Sequence, residues 1–274
     1  MTSAIDLDAY FERIGYAGPR SPTLDTLRGI VLRHSEAIPF ENLSPLVGWP
    51  VLLDAKSLEQ KIVREGRGGY CFEHNSLLLC VLESLGFQAH GLGARALWNQ
   101  PEDAITSRSH MLLLVELEGQ PHLVDVGFGG VTLTGVMQLK ADIEQPTPHE
   151  PFRLQRRGDD YFMQVHFGGK WNTLYRFDQQ RQYLPDYEVS SWYLCHHPDS
   201  IFISGLYAAR AAPGRRFALR NNELSVHHVG GATEKRTLQN ATELRDLLTE
   251  DFLLRLPETS QLDAALARLC STSQ

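Results

Sequence analysis

Cysteine, histidine and aspartate can together run covalent acyl chemistry: a thiolate attacks, an imidazole carries the proton, and a carboxylate holds the imidazole in orientation. The segment Arg67-Gly68-Gly69-Tyr70-Cys71-Phe72-Glu73-His74-Asn75 places a cysteine just after a glycine pair and at the start of a helical stretch. Unpaired backbone N–H groups and the positive end of the helix dipole at such a position favour the thiolate over the thiol. The glycines let the backbone approach a ligand closely. A second piece, Ser109-His110-Met111 running on to Leu117, is followed by Glu118-Gly119 and then Gln120 to Gly127, the pattern of a two-residue hairpin. With Leu117 opposite Gln120, Leu112 faces Asp125 and His110 faces Gly127, so His110 and Asp125 stand diagonally on one face. Diagonal neighbours are roughly 7–8 Å apart at the backbone, within reach for an imidazole and a carboxylate. Cys71, His110 and Asp125 therefore read as nucleophile, base and orienter.

Each has a plainer reading when taken singly. A cysteine at a helix start more often packs than reacts, and a histidine at a strand start is usually a surface or satisfied residue. Asp125 is the uncomfortable member, because it lies inside Leu123-Val124-Asp125-Val126-Gly127 and a carboxylate buried there is costly unless paired. His110 is the partner that the register offers. Cys80 turns to the opposite helix face from Cys71, at about 100° per residue, and reads as an inert core thiol. Cys195 and Cys270 have no glycine-rich setting. Arg67 and Glu41 are read as a pair bracing the loop that holds Cys71, whereas Glu73 and His74 point elsewhere on the helix and stay outside the triad.

The elements that must hold these residues are legible as pattern. Leu7, Tyr10, Phe11 and Ile14 recur at helical spacing, and a second helical segment runs from Thr23 to Ser35. A third helix is expected to start at Ser57, with Ser57 and Gln60 as a capping box, and to end near Gly66. A fourth begins near Cys71, carries Leu78, Leu82 and Leu85 on one side, and stops at Gly86. From about Ala89 to Tyr193 the pattern changes to short apolar or alternating runs: Met111 to Leu117, His122 to Val126, Tyr161 to Phe167 and Trp171 to Phe177. These predict an antiparallel sheet or barrel. The tail adds a hairpin around Asn221-Asn222 and a helix opened by Asn240 with Glu243.

With 274 residues, 42% hydrophobic and 22% charged, the chain has an ordinary folded composition and enough length for a sizeable core. Its formal net charge of −7 offers no global positive field for nucleic acid or an anionic membrane surface. The start lacks the basic and apolar regions of a signal peptide, and no apolar run approaches the ~20 residues of a spanning helix, so cytoplasmic residence is the default expectation. The four cysteines form no C-x-x-C pair and read as free thiols, and the 11 histidines include no H-E-x-x-H pattern, so no metal site is expected.

The motifs Pro39-Phe40-Glu41-Asn42-Leu43, Arg67-Gly68-Gly69-Tyr70-Cys71-Phe72-Glu73, Ser109-His110-Met111 and Val124-Asp125-Val126-Gly127-Phe128-Gly129 together resemble those of the arylamine N-acetyltransferases. The motif-bearing part spans about residues 38–130, and length and element order are similar along the whole chain. The resemblance implies an α+β fold around a Cys-His-Asp core like that of cysteine proteases and transglutaminases. A helical bundle over 1–88 would carry the nucleophile, an antiparallel β-barrel over 89–200 would carry His110 and Asp125, and an α/β lid would occupy 201–274. It also implies ping-pong acetyl transfer, in which acetyl-CoA acylates Cys71 and an aromatic amine or hydrazine takes the acetyl group. Acetyl-CoA would be a co-substrate, with no cofactor tightly bound. By the same resemblance Phe40 and Phe128 line the acceptor pocket, Phe202 closes it, and Gly129 admits the CoA thiol arm. The backbone N–H of Cys71 is an oxyanion donor on this reading.

Neither a P-loop nor a Rossmann fingerprint is present, so CoA use rests on the resemblance alone. The order of the triad also suits a thiol hydrolase or a transglutaminase-like enzyme, with water or a peptide amine as acceptor. A binding protein that keeps the fold and holds an aromatic ligand is the non-enzymatic alternative. In every enzymatic reading Cys71 is alkylated by iodoacetamide fastest of the four thiols near neutral pH. Peptide mapping reads this directly, and faster labelling of Cys80 or Cys195 would misplace the reactive thiol.

Overall fold

A computed structural model describes residues 5–271. Its first helix, Leu7–Ile14, is capped by the Asp6 carboxylate on the Ala9 N–H at 3.1 Å and ends on Gly15 at φ 62°. The second, Leu24–Ala37, starts from Thr23 as its cap. These bury Tyr10, Phe11, Ile14, Leu27, Ile30 and Val31 against the helix Cys71–Ser84, whose Leu78 and Leu82 are fully enclosed. Gly86, at φ 86°, follows that helix as the pattern predicts.

The third helix differs from the expectation at its start. Asp54, in extended backbone, accepts the Ser57 N–H on Oδ1 at 3.0 Å, so the helix runs from Ala55 and Ser57 lies within its first turn. An Asp three residues ahead satisfies an orphan donor with a full charge, which outcompetes the Ser57 hydroxyl for the role of cap. The helix then continues through Glu59–Arg64 with π-helical bonding and terminates before Gly66, at φ 68°.

Eight antiparallel strands form the central, nearly closed barrel. In chain order these are Gln88–Ala96, His110–Leu117, Gln120–Val124, Met137–Gln138, Glu144–Gln145, Phe152–Arg157, Asp160–Phe167 and Lys170–Gln182. The two end strands are Met137–Gln138 and Glu144–Gln145, and the Gln145 side chain stitches them together by bonds of 2.8 and 3.0 Å to the Gln138 backbone. Leu117 pairs with Gln120 as the hairpin pattern requires, with Glu118 and Gly119 both at positive φ in the turn. The ladder stops at Leu113↔Val124, however, so Asp125 lies just beyond the last pair and Leu112 has no ladder partner there. Alternation along His110–Leu117 sends Met111, Leu113 and Val115 towards the helices and Leu112 and Leu114 into the barrel core.

A second antiparallel sheet of five strands contains Tyr207–Ala212, Arg215–Arg220, Glu223–His228 and Thr233–Thr237, with Asn221 at φ 55° in the tight turn predicted there. Its fifth strand is Phe40–Glu41, where Phe40 pairs with Ala209. Leu43 and Leu46 accordingly pack with this sheet and the helices Ala241–Glu250 and Ser260–Ser271, not with the helical core. Asn240 caps Ala241–Glu250 by accepting the Glu243 N–H at 3.0 Å. The result is an α+β fold in which the loop before Cys71 lies where the helices, barrel and second sheet converge. Among the described residues no helix is long and apolar enough to cross a membrane.

The revised helix start is testable. Asp54→Ala should lower unfolding stability by about 1 kcal/mol, the usual worth of a cap, while Ser57→Ala should stay within about 0.5 kcal/mol of native. Denaturant titration compares the two, and the reverse order would restore Ser57 as the cap.

Candidate active site

Cys71 is the first residue of its helix and is buried at 5% exposure. Tyr70, before it, donates its N–H to Glu73 Oε2 at 3.1 Å, and Glu73 Oε1 receives Lys61 Nζ at 2.6 Å. The glycine pair is explained by contact. A Cβ on Gly68 would stand 2.0 Å from the Pro39 carbonyl oxygen, and one on Gly69 would stand 2.7 Å from the Glu73 carboxylate. Only glycine lets the loop close this far under the segment Pro39-Phe40-Glu41. Arg67 pairs with the fully buried Glu41 through Nε and Nη2 at 3.0 and 2.7 Å, and Glu41 Oε2 also accepts the Leu43 N–H at 2.6 Å. Burial pushes the Glu41 pKa up, but Arg67, Lys61 and these hydrogen bonds outweigh it and bring it to about 2.

His110 and Asp125 meet as the register suggests, although the ladder has ended. Asp125 Oδ2 lies 2.7 Å from His110 Nε2, both groups being buried. Asp125 Oδ1 accepts from Asn75 Nδ2 and from the Gly127 N–H, each at 3.0 Å, so both carboxylate oxygens are bonded. Asn75 also donates to the Met111 carbonyl at 2.8 Å and accepts the Val126 N–H at 3.2 Å, which fastens the Cys71 helix to both triad-bearing segments. A Cβ on Gly127 would come within 2.7 Å of Cys71 Cα, so this glycine is what lets Cys71 pack against the turn. The Cys71 sulfur is 3.5 Å from the Ser109 carbonyl. Burial opposes charge on His110, but Asp125 first and Cys71 second overcome it, and its pKa rises from 6.5 to about 10. That of Asp125 is lowered: burial raises it, and His110, Gly127 and Asn75 more than compensate.

Aromatic rings wall the site. Phe128 meets His110 edge-on at 5.1 Å, and Tyr175 packs on the same imidazole at 4.8 Å with its hydroxyl buried beside Asp125. Phe40 and Phe202 are in edge contact at 6.0 Å, Tyr70 reaches Phe202 at 5.4 Å, and Gly129 lies over the Phe40 ring, where a Cβ would touch it at 3.6 Å. Phe40, Phe128, Gly129 and Phe202 are thus gathered around the triad, and all four are only part-buried. Asn42 holds Phe202 in place, donating to the Phe202 and Gly205 carbonyls at 2.8 and 2.7 Å. Among the described residues no cluster of three or more side chains could hold a metal ion.

The N-acetyltransferase family model matches residues 23–261. The arylamine N-acetyltransferase of Mycobacterium tuberculosis is 43% identical over 270 residues, covering 97% of this chain and 95% of that protein. That of Escherichia coli is 40% identical over 247 residues, covering 90% and 88%. The solved structure of Mycobacterium marinum arylamine N-acetyltransferase in complex with CoA superposes with a TM-score of 0.93 at 41% identity, covering 97% of this chain and 100% of that one. The chain belongs to the arylamine N-acetyltransferase family.

As a member of that family, the chain is an acyltransferase whose candidate site holds more residues than pattern reading finds. Asn75, Gly127 and Tyr175 escape it because each is tied to its partner by distance in space and by no local period. A hydrophilic Asn on the buried side of the Cys71 helix is the one signal that could have exposed Asn75. Thr132 and Arg216 form a further layer. Thr132 Oγ1 donates to the Asp125 carbonyl at 3.0 Å and accepts the Phe128 N–H at 3.2 Å, and the enclosed Arg216 donates to the Thr132 carbonyl at 3.0 Å and to Glu150 at 2.7 Å. His74, set aside as a triad member, lies in a buried chain. Tyr10 bonds His34 at 2.8 Å, His34 bonds His74 at 2.9 Å, and His74 Nε2 donates to the Pro39 carbonyl at 3.1 Å.

The His110–Asp125 pair has a signature in stability. The folded chain keeps the His110 proton between pH 6.5 and about 10, where the unfolded chain has released it. Stabilisation from this group is therefore full below pH 6.5 and is lost as pH rises through that window. Denaturant titration across the window should show native stability falling with pH, and Asp125→Asn should flatten the fall. An unchanged slope in the variant would detach the shift from Asp125.

Proposed function

We propose that this protein transfers the acetyl group of acetyl-CoA to arylamines and hydrazines by a ping-pong route through acetyl-Cys71. The carrying observation is the enclosed His110–Asp125 bond of 2.7 Å with Cys71, at the start of its helix, packed against the turn that follows Asp125. In the first half-reaction the Cys71 proton already rests on His110, and the sulfur attacks the acetyl carbonyl. The tetrahedral oxyanion faces the Cys71 N–H, at the unpaired first turn of its helix. The bond to the CoA sulfur then breaks, and His110 returns the proton to the leaving CoA thiolate. In the second half-reaction the amine nitrogen attacks the acetyl-cysteine and gives its proton to His110, and Cys71 leaves as the thiolate beside the imidazolium. Asp125 holds the ring in orientation throughout and stabilises it whenever it is charged.

Phe40, Phe128 and Phe202 offer faces and edges to an aromatic acceptor, and this lining favours an aryl amine over the peptide amine of a transglutaminase-like reaction. Gly129, lacking a side chain above Phe40, leaves room for the pantetheine arm. The CoA bound to the Mycobacterium marinum protein supports the donor.

Acetyl-CoA without acceptor should release a burst of about one CoA per active chain and then slow to hydrolysis. Mass spectrometry should find the acetyl group on the Cys71 peptide, an arylamine should discharge it, and initial-rate plots should be parallel. Cys71→Ser should abolish the burst. Turnover of both substrates with no burst, no acetyl-Cys71 and intersecting lines would reject the covalent route.

A further inference from the structure

A polar cleft of about 450 Å³ opens away from the triad, between the first helix and the chain segment after Ala241–Glu250. Arg13, Arg64 and Arg255 line it, with Glu12, Gly66 and Leu253. Its size falls within the range of small-molecule sites. Arg64 is already neutralised, by Asp6 at 2.6 Å and Glu59 at 2.8 Å. Arg13 and Arg255 are different. Among the described residues neither has a carboxylate oxygen within 4.0 Å, and Glu12, the carboxylate on the lining, pairs with neither.

Arg13 is half-buried and spends three N–H groups on backbone carbonyls: Nε on Ile62 at 3.1 Å, Nη1 on Ala37 at 2.9 Å and Nη2 on Arg67 at 3.5 Å. These bonds aim the guanidinium but leave its charge uncompensated, and two of its five N–H groups are unspent. Its pKa is lowered, first by burial and then by the charge of Arg255. Arg255 reaches this place because Leu253 takes the left-handed conformation at φ 58°, turning the chain so that the Arg255 N–H donates to the Gly66 carbonyl at 3.1 Å. The Arg255 side chain then lies over Gly66, where a Cβ would stand 2.7 Å from its Cδ. The Arg13 guanidinium is thus held by three backbone carbonyls and the Arg255 side chain by its own backbone bond to Gly66, and both line one cleft with no carboxylate oxygen of the described residues within 4.0 Å of either. Arg13 is a half-buried cation without a charged partner, which is costly, and an anion drawn in by it and by the exposed Arg255 relieves that cost.

We infer that this cleft is an anion site that binds a phosphate group between Arg13 and Arg255. A dianion matches both charges, whereas a single carboxylate would leave one uncompensated, and a tetrahedral group presents oxygens to two guanidiniums at once. The cleft is larger than a phosphate, so an organic phosphate has room for its remainder. Both arginines bond the backbone at Gly66 and Arg67, which leads directly into the Cys71 loop, so occupancy braces that loop from behind.

Calorimetric titration of the full chain with inorganic phosphate, against sodium chloride at matched ionic strength, tests the site. One saturable site is expected, with a rise in Tm as phosphate is added, because only the folded chain brings the two arginines together. Arg255→Met keeps the apolar stem over Gly66 and should weaken binding about tenfold or more. Lys170→Met, the same charge change on a distant barrel strand, should leave it unaltered. Ribose 5-phosphate serves as the organic arm: equal affinity assigns the site to the phosphate group alone, and tighter binding assigns the rest of the cleft to the organic part. Absence of saturable phosphate binding, or equal affinity in native and Arg255→Met chains, overturns the proposal.

Discussion

A buried ion pair is tolerable only when its geometry is close and further hydrogen bonds support it, and the His110–Asp125 pair imposes that demand on this molecule. Two charges withdrawn from water lose several kcal/mol of hydration each. Recovery comes from their 2.7 Å contact and from the bonds that Asn75 and Gly127 make to the second carboxylate oxygen. Asn75 stands on the Cys71 helix, one turn after Cys71, so the group that completes the pair also sets the helix against the barrel. The same residue serves electrostatics and assembly.

The demand propagates outward through the turn that carries Asp125. Because the ladder ends at Val124, the backbone beyond it needs other partners, and Thr132 supplies them for the Asp125 carbonyl and the Phe128 N–H. Arg216, on the five-stranded sheet, holds Thr132, so that sheet supports the turn it also covers. On the other side the loop before Cys71 is compressed between Pro39 and Glu73. There two ion pairs, Arg67–Glu41 and Lys61–Glu73, stand in place of the side chains its glycines lack. Phe40 belongs to the five-stranded sheet by pairing and meets the Phe202 ring, which ties that sheet to the candidate site.

Helix and strand types were largely legible, because each rests on a local signal. Gly15, Gly66 and Gly86 mark helix ends through positive φ, and Glu118-Gly119 marks the hairpin through two positive-φ positions. Local signals failed where two local candidates competed. Ser57 and Asp54 both offer an oxygen to a helix start, and only the backbone conformation of Asp54 chose between them. The hairpin register predicted the His110–Asp125 meeting, but not that Asp125 would reach it from outside the ladder.

The sequence by itself determined which groups are present to react and which short elements carry them. A cysteine after a glycine pair, a histidine at a strand start and an aspartate in an apolar run are all statements about neighbours along the chain. Tertiary structure alone decided what surrounds them. Asn75 meets Asp125 across 50 positions, Arg216 meets Thr132 across 84, and Asn42 meets the Phe202 carbonyl across 160. The physical reason is that a hydrogen bond needs two groups a few ångströms apart and takes no account of chain separation. Such partners therefore leave no periodicity or spacing to read, and they become visible only when the fold has closed.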